Sequence, residues 1–187
     1  MTLESRGTYV AIHMSSKVIG YYLTVQQQHQ PNWNFSCGVI SPFAASKNDR
    51  VLPRWTRKHM SHLQMLSKCS ESEMELCYIF EEDATFRCDP CDATRSVPFP
   101  WNILVLSANH ANAVIVNQTI SYTGSGCHAY VVFNPRKTLY YMLRKPLFDS
   151  IPHGSCIEKW AVPPALRVVS VLHSCVAQRG KESVHFW

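Results

Sequence analysis

The clearest pattern in this sequence is a series of short apolar runs separated by polar turns in the middle of the chain. Apolar runs at 103–106 and 113–116 flank the polar turn 108–112, and a third apolar run occupies 128–133. Short apolar runs bounded by turn residues are typical of β-strands. The pattern predicts an antiparallel meander of three strands, and the apolar spacing after it predicts a helix over 137–147. A meander followed by a late helix indicates a mainly β fold, either a barrel or a sandwich.

The rest of the chain predicts more strands and one further helix. Residues 33–40 alternate between apolar and polar side chains, which is the period of a half-buried strand. Apolar residues three apart predict a short helix over 59–68, and three prolines predict a loop over 88–100. The segments 74–80 and 84–87 predict a hairpin. Two further apolar segments, 8–14 and 18–26, are expected to be strands. The apolar segment 166–175 is expected to be a strand or a helix.

Length and composition are those of an ordinary globular protein. The chain has 187 residues, of which 46% are hydrophobic, and this is enough for one domain with a sizeable core. No apolar stretch reaches the roughly 18 residues that a membrane-spanning helix needs. We therefore expect a single domain over residues 1–187, without a membrane span.

The charge balance is mildly basic, with a formal net charge of +5. The densest basic stretch is 50–58, where Trp55 lies among four basic residues, Arg50, Arg54, Arg57 and Lys58. Such a stretch can contact an anionic surface. Four charges over nine residues are nevertheless common in basic proteins, so we expect a solvated surface and no nucleic-acid partner.

Eight cysteines are spread over nearly the whole chain. An even number of this size predicts up to four disulfides in an oxidising compartment. Glycosylation sequons at Asn34 and Asn117 agree with a secreted protein. The segment 1–6 lacks the apolar stretch of a signal peptide. The expectation is therefore a secreted protein whose signal is not part of this chain, or a cytoplasmic protein if the cysteines are reduced.

One pair of cysteines has the spacing of a metal knuckle. Cys88 and Cys91 form a Cys-x2-Cys motif, and Cys69 and Cys77 could complete four thiolate ligands for zinc. In a secreted chain, the same two cysteines are instead expected to belong to separate disulfides. A thioredoxin-type redox centre would need a helix directly after the motif. The prolines that follow predict a loop, which disfavours that alternative.

No motif in the sequence specifies a reaction. The sequence contains no Gly-x-Ser-x-Gly, no His-Glu-x-x-His, no phosphate-binding loop and no dinucleotide fingerprint. We therefore expect a non-enzymatic protein without a cofactor, and zinc is the alternative. The combination of few glycines with many Cys, His and Trp residues is also typical of rapidly evolving viral or lineage-specific proteins. Such proteins usually bind a partner protein.

The order of predicted elements resembles that of the lipocalins. The first strand begins with Gly7-Thr8-Tyr9, where that family has Gly-x-Trp, and the turn 108–112 stands at the family's second motif. Arg136 lies near the position of the arginine that closes the base of the family's barrel. The resemblance covers residues 7 to 175. It implies an antiparallel eight-stranded barrel with a C-terminal helix, and a disulfide between Cys37 and Cys175.

The resemblance also implies a function. A barrel of eight strands has room for one small ligand, held in a mostly apolar cavity. A secreted carrier of a small hydrophobic ligand is therefore expected. Five side chains are expected to line this cavity, and in any other fold they would be ordinary core residues. They are Tyr22, Trp33, Phe35, Tyr130 and Val132.

Overall fold

The structure is a computed structural model of the chain. It describes residues 18–23, 36, 39–43, 54–71, 74–81, 84–107, 114–115, 120–122, 129–144, 166–171 and 173–178. These residues form ten strands and three helices. The helices are α1 (Arg54–Glu71), α2 (Pro90–Ser96) and α3 (Pro135–Leu143). The strands are β1 (Val18–Leu23), β2 (Val39–Phe43), β3 (Leu76–Glu81), β4 (Ala84–Phe86), β5 (Ile103–Val105), β6 (Val114–Ile115), β7 (Ile120–Tyr122), β8 (Ala129–Phe133), β9 (Val168–Val171) and β10 (Val176–Gln178).

Eight of these strands form one open, mixed sheet in the order β2-β1-β3-β8-β5-β9-β7-β6. β1 runs parallel to both of its neighbours, β2 and β3, and β5 runs parallel to β9. The other pairs in this sheet are antiparallel. Among the described strands, the two edges β2 and β6 are not paired with each other. The predicted antiparallel eight-stranded barrel with a C-terminal helix is therefore wrong.

Two of the predicted strand pairings are also wrong. β5 pairs with β8 and β9 and not with β6, so the three-stranded meander is not formed. β3 belongs to the large sheet, whereas β4 pairs with β10 in a separate two-stranded sheet, so the predicted hairpin is not formed. The predicted pairings are wrong because the central strands of the sheet have side chains buried on both faces, and their neighbours come from distant parts of the chain. These central strands are β3, β5, β8 and β9.

One face of the sheet is covered by α1 and α3, which pack against each other. Leu63 and Leu66 of α1 and Met142 of α3 lie in one apolar cluster with Ile79 and Val105 of the sheet. The helices predicted over 59–68 and 137–147 are found as α1 and α3, but α1 is longer than predicted, and α3 begins at Pro135 and ends at Leu143. We call α1, α3 and the α3 C-cap residue Arg144 the helical layer.

The opposite face is covered by α2, the segment after it, and the small sheet of β4 and β10. Tyr78 and Phe80 of β3 pack there, and Trp101 lies fully buried in the same cluster. The ring of Phe99 packs edge-on against Phe133 with a centroid distance of 5.0 Å. The central strands β3, β5, β8 and β9 are thus buried on both faces.

The segment predicted as a loop contains α2. Pro90 occupies the first turn of this helix, where its fixed φ angle is favourable and its missing N–H is not needed. The Asp89 carboxylate accepts a hydrogen bond of 2.8 Å from the Cys91 amide and so caps the helix. Pro90, one of the three prolines that predict a loop over 88–100, therefore begins a helix.

Two disulfides join described elements. Cys69 near the end of α1 is bonded to Cys77 of β3, and Cys88 after β4 is bonded to Cys175 before β10. The second bond forms because β4 and β10 are antiparallel neighbours, which brings the Cα atoms of Cys88 and Cys175 within 5.2 Å. The lipocalin resemblance implies a bond between Cys175 and Cys37, but Cys175 is bonded to Cys88. Cys37 itself lies outside the described residues.

Candidate functional site

The side chains predicted to line a ligand cavity are only partly described. Tyr130 and Val132 lie on the same face of the central strand β8, and both are fully buried in the cluster beneath the helical layer. The backbone of Tyr22 lies in β1, paired in register with Phe80. Trp33 and Phe35 lie outside the described residues. The structure therefore brings Tyr130 and Val132 together, as core side chains that pack between the sheet and the helices.

A buried polar cluster, which the sequence analysis missed, lies within the same core. His62 of α1 places its Nδ1 atom 2.8 Å from the Tyr130 hydroxyl and its Nε2 atom 3.3 Å from Oε1 of Glu81. The exposed fraction of His62 is only 1%. The three residues come from α1, β3 and β8 and are far apart in the sequence. No local motif could therefore have indicated the cluster.

The chemistry of this cluster follows from its donors and acceptors. His62 Nδ1 and the Tyr130 hydroxyl form a hydrogen bond, in which the tautomer of the ring decides which group donates. The 3.3 Å contact between Nε2 of His62 and Oε1 of Glu81 is within ion-pair range but lacks the geometry of a hydrogen bond. A buried polar contact between a helix and a strand helps to fix how the two elements pack. The cluster therefore fastens α1 to two strands of the sheet.

A second buried hydroxyl lies on the opposite face of the sheet. Burial raises the pKa of Tyr78 well above its usual range, and the nearby Thr94 hydroxyl and Arg95 charge oppose this only in part. Tyr78 is therefore a neutral core side chain at physiological pH.

The cysteines of the candidate zinc site are all disulfide-bonded. Cys69 and Cys77 are bonded to each other, Cys88 is bonded to Cys175, and Cys91 is also in a disulfide. Because the other described cysteines are already paired, the partner of Cys91 lies outside the described residues. The expectation that Cys88 and Cys91 belong to separate disulfides is confirmed.

These bonds bear on metal binding. A sulfur in a disulfide is not a thiolate, which is the form that binds zinc. In the described parts of the chain, no group of three or more His, Cys, Asp and Glu side chains is placed to hold a metal ion. Zinc binding by Cys69, Cys77, Cys88 and Cys91 stays a prediction for the reduced chain.

The exposed face of α3 has an unusual composition. It consists of three basic and two large apolar side chains, and it contains no acidic residue. Tyr140 and Leu143 are 51% and 54% exposed. The guanidinium carbon of Arg144 lies 4.6 Å from the centroid of the Tyr140 ring, within range of a cation–π interaction. We call this face the α3 outer surface, and its residues are Arg136, Lys137, Tyr140, Leu143 and Arg144.

Local interactions hold α3 firmly against the rest of the molecule. Asn134 has a φ angle of 49°, in the left-handed region, and this turns the chain sharply from β8 into the helix. The Asn134 side chain accepts a hydrogen bond of 3.1 Å from the backbone amide of Lys137. The backbone amide of Asn134 donates a hydrogen bond of 2.8 Å to the Glu75 carbonyl. Thr138 and Met142 are buried on the inner face. The α3 outer surface therefore projects from a fixed helix.

The positive charge of the protein is concentrated in the helical layer. This layer contains seven basic residues and one acidic residue, Glu71, which gives a net charge of +6. The whole chain has a net charge of +5. The rest of the chain therefore has a net charge of −1. The helical layer, counted by itself, is therefore the more basic part of the sequence.

The comparisons with known proteins do not assign a family. No protein-family model matches the sequence, and no curated protein is significantly similar to it. Among the described helices, none is long and apolar enough to cross a membrane. The inference of function therefore rests on the geometry and charge of the described residues.

Proposed function

We propose that this chain is a secreted, disulfide-stabilised, non-enzymatic protein that binds an acidic partner protein through its helical layer. The observation that carries this proposal is the charge of that layer, +6 in a chain whose net charge is +5. A surface with charge of one sign attracts partners of the opposite charge and accelerates their association.

The disulfides support the compartment that we propose. At least five cysteines are oxidised in the described part of the chain: Cys69, Cys77, Cys88, Cys91 and Cys175. Disulfides persist in secreted proteins and are rare in the reducing cytosol. Glycosylation at Asn34 and Asn117 stays a prediction.

The packing of the core favours a surface function over an internal ligand. Tyr130 and Val132, the two described members of the predicted cavity lining, are fully buried among side chains of the sheet and the helices. The described strands form an open sheet and not the barrel that motivated an internal ligand. Binding of a small hydrophobic ligand therefore stays a prediction, but the barrel on which it was based is not formed by the described strands. We propose partner binding in its place.

The test is a binding experiment with oxidised, full-length protein as immobilised bait. Extracellular fluid of the source is the sample, and bound proteins are identified after washing. A captured acidic protein should elute as the salt concentration rises. Exposed charges attract each other over a screening length of about 8–10 Å near physiological ionic strength, and added salt shortens this length.

Charge reversal in α1 then tests the layer itself. The double variant Arg54→Glu/Arg57→Glu should weaken binding of the purified partner about tenfold or more, which corresponds to about 1.4 kcal/mol. Arg95→Glu, which reverses one charge where the double variant reverses two, is the control, because Arg95 is an exposed residue of α2 on the opposite face of the sheet. Equal losses for the two proteins, or a partner whose binding does not depend on salt, would contradict the proposal.

A further inference from the structure

We infer that the α3 outer surface is the docking site, and that it binds an acidic segment carrying an aromatic or large aliphatic side chain. This inference rests on the proposed function and names the place and the chemistry of the contact. Its five residues, Arg136, Lys137, Tyr140, Leu143 and Arg144, follow the spacing i, i+1, i+4, i+7 and i+8. Residues with this spacing lie on one side of a helix.

Charge complementarity identifies the acidic part of the partner. The α3 outer surface contains three cations and no carboxylate. Two exposed acidic residues of the described chain form ion pairs away from this surface, Glu71 with Lys68 in α1 and Asp92 with Arg95 in α2. The cations of α3 form no ion pair within the described residues. An acidic segment would therefore meet cations that do not have to break an existing pair.

The apolar side chains identify the second part of the partner. Tyr140 and Leu143 are the most exposed large hydrophobic side chains among the residues whose side-chain burial the structure describes. They lie three residues apart, next to each other along the helix. Aromatic residues and arginine are enriched at the energetic centres of protein interfaces. A binder of phosphates alone would not need these apolar side chains, so the combination favours a protein segment over a nucleic acid.

The surface is organised before binding. Stacking of Arg144 on the Tyr140 ring holds both side chains in place and leaves guanidinium N–H groups available for a carboxylate. The helix is itself fixed by its buried inner face and by Asn134. A surface that is ordered in the free protein loses less conformational entropy on binding. This arrangement suits recognition by a short segment.

The test uses the oxidised, full-length protein and three probes. They are a random copolymer of glutamate and tyrosine, polyglutamate of the same length, and a single-stranded oligonucleotide. Binding is measured by fluorescence anisotropy at physiological salt. The copolymer should bind about fivefold to tenfold more tightly than polyglutamate, because only the copolymer can contact Tyr140 and Leu143 with aromatic side chains. Equal affinities for the two polymers, or tighter binding of the oligonucleotide, would overturn the inference.

Variants locate the contact. Leu143→Ser and Arg144→Gln should each weaken copolymer binding about fivefold or more, and Leu143→Ser should leave polyglutamate binding within about twofold. Met60→Ser is the control for an exposed apolar residue on α1, and Arg95→Gln is the control for an exposed arginine on α2. Both controls should change copolymer binding by less than about twofold.

The outcomes separate the two proposals. If Arg54→Glu/Arg57→Glu weakens binding of the captured partner while the α3 variants do not, the helical layer binds the partner and the α3 docking site is overturned. If neither set of variants weakens it, the proposed function fails as well. Unchanged circular dichroism and melting temperature in Leu143→Ser and Arg144→Gln show that any loss is not caused by unfolding, which is expected because both residues are exposed.

Discussion

Single residues in the core explain how the helical layer is held in place. His62 reaches from α1 to Tyr130 of β8 and Glu81 of β3, and all three side chains are buried. The sequence placed Tyr130 and Val132 correctly on one face of a strand, because side chains alternate along strands. It could not reveal that a histidine 68 residues away would bond to that tyrosine. Such a contact depends on tertiary packing and leaves no local pattern.

The hydroxyl of Tyr130 should contribute measurably to stability. Tyr130→Phe removes the hydrogen-bond partner of His62 Nδ1 within a closed core, and we expect the free energy of unfolding to fall by about 1–3 kcal/mol. Urea denaturation followed by tryptophan fluorescence measures this change. Tyr140→Phe is the control, because Tyr140 is exposed, and it should be close to neutral. Equal stabilities for Tyr130→Phe and the unmodified protein would show that the hydrogen bond does not stabilise the fold.

Tyr78 should make the protein sensitive to alkali. Burial raises the pKa of its hydroxyl in the folded state, so the folded protein retains a proton that the unfolded chain loses above about pH 10. The stabilisation that protonated Tyr78 contributes to the folded state is fully present below about pH 10 and is lost as the pH rises further. Tyr78→Phe should therefore show a shallower fall in melting temperature above about pH 10 than the unmodified protein. Parallel pH profiles for these two proteins would contradict this explanation.

At the scale of elements, the helices were easier to predict than the pairing of strands. The three-residue spacing of Met60, Leu63 and Leu66 predicted a helix, and α1 contains them. The second missed feature was α2, because Pro90 was interpreted as part of a loop although it follows Asp89, a good N-cap residue. A proline directly after an aspartate is a signal for the start of a helix, and it could have been used.

The cap of α2 gives a prediction at this scale. Asp89 accepts hydrogen bonds from the amides of Cys91 and Ser36 at 2.8 and 3.1 Å. Asp89→Ala should therefore destabilise the protein by about 1–2 kcal/mol. Asp92→Ala is the matched control, since Asp92 forms only an exposed ion pair with Arg95, and it should cost less than about 0.5 kcal/mol. If thermal unfolding shows equal effects for the two variants, the cap does not hold α2.

For the whole molecule, the strand positions were predicted better than the architecture. β3, β5, β8 and β9 each coincide with a predicted apolar segment. Their runs are continuously apolar, however, as in Ile103–Val105, and this is typical of strands covered on both faces. A barrel with one solvated face would show alternation instead. Strand order depends on contacts between distant segments, such as that of β5 with β9, and the sequence contains no local record of them.

The molecule is an open mixed sheet held together by disulfides. The most direct test is a disulfide map of the non-reduced protein by mass spectrometry, after alkylation of any free thiols. Cleavage at glutamate separates Cys69 from Cys77, and mild acid cleavage of the Asp89-Pro90 bond separates Cys88 from Cys91. We predict a bond between Cys69 and Cys77 and a bond between Cys88 and Cys175. Eight alkylated thiols, or a bond between Cys37 and Cys175, would contradict this account.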